Sequence, residues 1–322
     1  MRLPGAALAA LLALAAAPAR GTDALQLRVA DADWGDADPA RIMVVLEDTA
    51  RELQGLFPGD APLKVLVSPT ARVPMVLFER TARGEHHVLL RARGSNWAHY
   101  AYEFAHELGH ILTNYGRHAR APYSGRHQWF EEAICEMLSV YALRRLAARA
   151  PDDFGAPYAG FADLVLGEPH RRAALGIDLA SWLQANESGL RADPYQRVRN
   201  EAVAMRLLGV FERESRLRAL AYLNVADTPP PEGFRDYLEQ WRARTPLALQ
   251  PAVTDVLAEF GFAEKNKPPA AVAAGGIASG YWGWPSRAAS GTRSRRGRFL
   301  PRRGLQRRRC RSPWRLPGRA GR

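Results

Sequence analysis

The chain predicts an α+β fold with a small helix-plus-sheet layer at its N-terminal side and a mainly helical remainder. Two observations carry this. Short β-rich runs are confined to residues 63–92, and from residue 96 onward the apolar residues recur at helical spacing. With 322 residues and 47% hydrophobic composition, the chain is long enough to bury a substantial core.

In chain order, "PARIMVVLEDTARELQGLF" (39–57) places Ile42, Val45, Leu46, Leu53, Leu56 and Phe57 on one helical face. "LKVLVS", "VPMVLF" and "HHVLLRA" follow as short strands bounded by Pro, Gly and charged residues. The last of them is the expected sheet edge, open to pairing with an extended peptide. Helices are then expected over about 97–114, 127–149, 195–215, 232–243 and 250–261. The stretch 150–194, with Pro151, Gly155, Pro157, Gly160, Gly167 and Pro169, reads as a long ordered loop.

The ends differ from the body. "MRLPGAALAALLALAAAPA" (1–19) has an early arginine, a short Ala/Leu core and small residues before Arg20, the pattern of a cleaved signal peptide, which implies a secreted or periplasmic protein. Its apolar part is too short for a stable membrane span. Of the net charge of +12, fourteen arginines lie in 285–322 without one acidic residue, so residues 1–284 stand at −2. The basic balance therefore belongs to an Arg/Gly/Pro-rich tail without periodicity, expected to be disordered over 265–322, and no specific nucleic-acid partner is inferred. One catalytic domain is expected over 20–264, divided near residue 95. Cys135 falls in a predicted helix and Cys310 in the tail, which argues against a structural disulfide.

The chemistry centres on "YEFAHELGHILTNYG" (102–116). At about 100° per residue, His106 and His110 lie one turn apart on one face and can direct two imidazoles at one point, with Glu107 beside it. That suits a zinc ion held by two histidines with a glutamate free to act as general base. With 8 His and 18 Glu in the chain, HExxH arises by chance in roughly one such sequence in a hundred. His99, Glu103, His106, His110 and Asn114 form one polar stripe on an otherwise apolar helix. Such a helix is normally buried, so the stripe requires partners.

A catalytic zinc site needs a third protein ligand, and the downstream candidates are His118, His127, Glu131, Glu132 and Glu136. A metzincin continuation is excluded, because Thr113 and Gly116 stand where it requires glycine and histidine. The following segment, "HQWFEEAICEMLSVYALRRL", makes the chain resemble the gluzincin metallopeptidases, the thermolysin-like and aminopeptidase-N-like group. The resemblance covers roughly 60–215. It implies a zincin-like helical portion with a glutamate ligand on a second helix, three residues after a tryptophan. Glu132, after Trp129, matches that position, and Glu131 is the runner-up. The resemblance also implies that Glu136 orients the first histidine, and that a tyrosine about sixty residues past the ligand stabilises the oxyanion. Tyr195 is the candidate, with Tyr158 and His170 as weaker ones.

The resemblance thus implies one Zn2+ per chain and peptide or protein substrates, hydrolysed by a zinc-activated water with Glu107 as general base. "PMVLFERTARGEHHVLL" lacks the segment with which aminopeptidases hold a free amine, which points to an endopeptidase. Two other classes stay open: an inactive metal-binding module built on the same site, and an anionic-polymer binder acting through the basic tail. Nucleotide-binding, serine-hydrolase and cysteine-zinc motifs have no counterpart in the sequence. Exported protein is expected to begin at Arg20, which N-terminal sequencing of secreted material checks; material beginning at Met1 would contradict a cleaved leader.

Overall fold

The computed structural model describes residues 24–57, 62–114, 126–149, 152–212, 214–226 and 228–262. The leader, the Arg-rich tail, Cys310 and His118 lie outside the described residues. The fold is α+β, as the periodicities predict.

The sheet layer opens with β1 (Leu25–Val29), a strand the sequence reading missed. Its apolar residues Leu25, Leu27 and Val29 alternate with Gln26 and Arg28, a short period-2 run that forms an edge strand. Next comes α1 (Pro39–Glu52), begun by Asp38, whose side chain accepts the Ala40 N–H, and by Pro39 in the first turn. It buries Ile42, Val45, Leu46 and Ala50. A 3₁₀ turn (Gln54–Leu56) leads to β2 (Leu63–Pro69), β3 (Met75–Leu77) and β4 (His86–Leu90).

Strand order is β1-β2-β4-β3, with β2 parallel to both β1 and β4 and β3 antiparallel to β4. Val65, Val67, Val88 and Leu90 turn to the core on alternate positions. The expected edge is corrected here. β4 is paired on both sides, and the outer strands are β1 and the three-residue β3. Periodicity identifies a strand, but its neighbours depend on topology.

The helical portion comprises α2 (Trp97–Leu112), α3 (Gln128–Arg149), α4 (Asp152–Gly167), α5 (Pro169–Ala174), α6 (Leu179–Ala192), α7 (Arg197–Phe211), the short α8 (Glu214–Leu217), α9 (Phe234–Arg244) and α10 (Gln250–Glu259). Three of these overturn the loop expected over 150–194. Phe154, Tyr158, Ala162 and Val165 recur at helical spacing on the buried side of α4, and that apolar face outweighs Pro157 within the helix. Pro169 occupies the first turn of α5, where its missing N–H costs nothing. Asp178 caps α6 by accepting the Ser181 N–H at 3.1 Å. Proline and glycine here punctuate helices rather than abolish them. Among the described residues no helix is long and apolar enough to cross a membrane.

At the centre, α3 is buried on nearly every side through its first five turns, with Trp129, Phe130, Ile134, Met137, Leu138 and Leu143 inaccessible. It packs against α2, and Gly109 is what permits the close approach. A Cβ at Gly109 would stand 3.1 Å from both Cys135 Sγ and Leu138 Cδ1 and 3.4 Å from Cys135 Cα. Cys135 itself is a free, buried thiol. In Gly109→Ala a helix-propensity gain of about 1 kcal/mol competes with an overpacking loss of about 1–3 kcal/mol. With backbone on one side and core on the other, the variant is expected to melt lower than wild type in thermal unfolding. An equal or higher midpoint would show that the crossing relaxes.

Candidate metal centre

The polar stripe of α2 meets protein partners along its length, with His99 its exposed member. His99 packs on the Phe161 ring at 4.3 Å between centroids. Glu103 accepts the backbone N–H groups of Arg91 at 2.8 Å and Ala92 at 2.9 Å, tying α2 to the end of β4. At the other end Asn114, in the left-handed region at φ 63°, donates to the carbonyls of Ala221 (2.8 Å) and Leu223 (3.0 Å). Between these anchors stand His106 and His110, ring centroids 5.1 Å apart, as expected for one turn of helix.

From α3, Glu132 reaches both rings. Its Oε2 lies 3.3 Å from His106 Nε2 and its Oε1 3.7 Å from His110 Nε2. One donor atom from each of the three residues falls within a set whose members are all within 4.8 Å of one another. Bonds of about 2.0–2.2 Å in a tetrahedron set donor atoms roughly 3.3–3.6 Å apart. The two imidazole–carboxylate separations, 3.3 and 3.7 Å to different oxygens of Glu132, lie close to that range.

Charge fits as well as geometry. Glu107, Glu131 and Glu132 are gathered around two imidazoles with almost no solvent. Burial pushes the carboxyls of Glu107 and Glu131 above their ordinary pKa, against the pull of the histidines. Burial also disfavours charge on the imidazoles. On His106 this is outweighed by Glu132 and Glu107, and on His110 by Cys135, Glu132 and Glu131, so both pKa values stand above the usual histidine value. Such a pocket has an excess of negative charge, which a divalent cation relieves.

Glu131 and Glu132, adjacent in sequence, are placed differently. Glu131 faces away from the convergence point and takes His110 Nδ1 at 2.8 Å, leaving Nε2 directed at Glu132. Glu107 is 5% exposed and lies on the helix that packs against β3, one of the two outer strands.

Glu136 lies 3.9 Å from His106 Nδ1 through one oxygen. Its other oxygen takes the Tyr102 hydroxyl and, at 2.6 Å, the Arg171 guanidinium. Arg171, 3% exposed, also reaches Glu201 at 2.8 Å, and Glu201 in turn holds Arg197 at 2.7 Å and His170. Glu136 is thus part of a buried ionic cluster linking α2, α3, α5 and α7.

Tyr195 precedes α7, is 64% exposed and accepts a hydrogen bond from Gln128 Nε2 at 2.8 Å. Gln128 lies one turn before Glu132 on α3, so the tyrosine stands near the cluster. Burial, and then the negative charge of Glu132, raise its pKa. The other candidates are engaged elsewhere. His127 Nε2 bonds the Pro231 carbonyl at 2.8 Å, Tyr158 is buried against Phe154, and His170 is bound to Glu201.

Compared with known proteins, the chain matches no family model, no curated protein and no solved structure. Residues that sequence reasoning missed are Arg171, Glu201, Asn224 and Tyr237, all brought in by distant elements without a spacing signal. Glu131 was in view, but its role at Nδ1 was not.

Purified protein is expected to hold about one zinc per chain by elemental analysis, with tight binding lost in His106→Ala, His110→Ala and Glu132→Ala. Glu131→Ala should keep the stoichiometry at saturating metal. Zinc lost from Glu131→Ala but retained in Glu132→Ala would reverse the assignment.

Proposed function

We propose that this chain is an exported zinc-dependent peptidase of the gluzincin kind, acting as an endopeptidase. The observation that carries the reading is the convergence of His106 Nε2, His110 Nε2 and the Glu132 carboxylate, with Glu107 beside them. The resemblance of "HELGH" and "WFEEAICE" to that group supports it, and the leader-like first nineteen residues support export. When bound there, zinc would acidify a water molecule and polarise a peptide carbonyl.

The chain's own groups account for the proton movements. Glu107 is buried, and burial raises its affinity for a proton. Its carboxylate takes a proton as the water oxygen bonds to the carbonyl carbon. It then delivers that proton to the amide nitrogen as the C–N bond breaks. Tyr195 accepts from Gln128 and so keeps its own O–H for donation to the developing oxyanion.

Substrate direction follows from the sheet. β3 is one of the two outer strands and packs against α2, which carries Glu107, so a peptide added along that edge would run near the base.

Glu107→Gln keeps size and hydrogen-bonding ability while removing the basic carboxylate. Hydrolysis of a mixed peptide library is expected to fall by about 10²–10⁴-fold with zinc content unchanged. A wild type that holds zinc and cleaves nothing in the library would replace the enzyme by a metal-binding module. A variant as fast as wild type would put the catalytic base elsewhere.

A further inference from the structure

A second chain of contacts leads away from His110. Glu131, 6% exposed, takes the imidazole Nδ1 with one carboxylate oxygen at 2.8 Å and the side-chain N–H of Asn224 with the other, also at 2.8 Å. Asn224 Oδ1 accepts the Tyr237 hydroxyl, again at 2.8 Å. Each group uses a distinct atom for each neighbour, so the sense of donation is set throughout. Tyr237 donates to Asn224, Asn224 donates to Glu131, and Glu131 accepts from His110. A carboxylate with two N–H donors is held as an acceptor, which keeps the proton on Nδ1 and the lone pair on Nε2.

The outer members are built to stay in place. Tyr237, on α9, is 4% exposed and stacked on the His127 ring at 4.5 Å between centroids, and His127 is anchored on the Pro231 carbonyl. Asn224 sits at φ 58°, and it and Asn114 are the two non-glycine residues with positive φ among the described residues. Asparagine tolerates that region at small cost, and residues held there cluster where geometry is functional. Asn114, at the end of the HELGH helix, grips the carbonyls of Ala221 and Leu223, so the segment carrying Asn224 is tied to α2 as well as to α3.

We propose that Asn224 and Tyr237 are positioning residues of the metal centre, acting in series through Glu131 to hold His110 with Nε2 presented to the ion. This rests on the zinc reading above. It adds that the C-terminal helical portion, far in sequence from HELGH, helps set metal affinity. Neither residue touches the ion or the substrate.

The test is zinc affinity of the full chain, stripped with a chelator and titrated against a chromophoric competitor, with unfolding of the metal-free form measured in parallel. Asn224→Gly removes the amide and keeps a residue suited to positive φ; Tyr237→Phe removes one hydroxyl. Asn224→Gly is expected to weaken zinc by about 10–100-fold and Tyr237→Phe by several-fold, with the metal-free midpoint close to wild type. In a Glu131→Ala background, Asn224→Gly should weaken zinc by no more than about two-fold further, because the relay is already cut.

Unchanged affinity in both single variants, or an undiminished effect of Asn224→Gly without Glu131, overturns the proposal while leaving the zinc site standing. A wild type that binds no zinc overturns both. Should Asn224→Gly fail to fold, Tyr237→Phe decides by the same titration.

Discussion

Placing two imidazoles and three carboxylates in the contact between α2 and α3 is electrostatically expensive, and much of the surrounding structure answers that cost. Each of these groups would be stabilised by water, and the helix contact excludes it. Desolvation raises the pKa of Glu107 and Glu131, and the carboxylates in turn raise those of His106 and His110. Mutual pairing relieves part of the strain, and a divalent cation between the Nε2 atoms and Glu132 would relieve more. Gly109 permits this contact, because any larger residue meets Cys135 and Leu138. The glycine of HELGH is therefore a packing requirement of the same crossing that brings the ligands together.

Around that core the two histidines are supported asymmetrically. His110 is held by a short relay, Glu131 to Asn224 to Tyr237, with every step at 2.8 Å. His106 faces Glu136 at the longer distance of 3.9 Å, and Glu136 is embedded in an ionic cluster with Arg171, Glu201 and Arg197. Breaking one partner of a buried cluster of that kind typically costs about 3–5 kcal/mol, since the remaining charge loses its counterpart. The Glu136 side is thus bound up with stability, whereas the Glu131 side can be loosened one hydrogen bond at a time. That difference is why the relay offers the cleaner experimental handle on metal affinity.

The small sheet contributes through its edge. β3 is only three residues long, a length that limits unwanted strand pairing. It packs against α2, the helix that carries the proposed base Glu107. A peptide bound along β3 would be aligned with the group that handles its proton, so binding and chemistry would share one structural element.

Much was legible in the sequence because it is local. The period of α1, α2 and α3 follows from which residues are apolar, and the common face of His106 and His110 follows from four-residue spacing at about 100° per residue. What remained hidden depended on relations between elements. α4 to α6 were obscured because Pro157, Pro169 and Gly167 read as breakers until the apolar faces had something to pack against. Which of Glu131 and Glu132 faces both imidazoles amounts to about 100° of rotation around α3, and depends on how α3 lies against α2. The same holds for β3 as an outer strand and for the approach of Asn224 and Tyr237 to His110 from more than a hundred residues away. The sequence by itself determined the donors on one helix and the apolar faces that would be buried. The tertiary structure alone decided which neighbours meet them, because hydrogen bonds and strand pairings between distant segments leave no periodic trace along the chain.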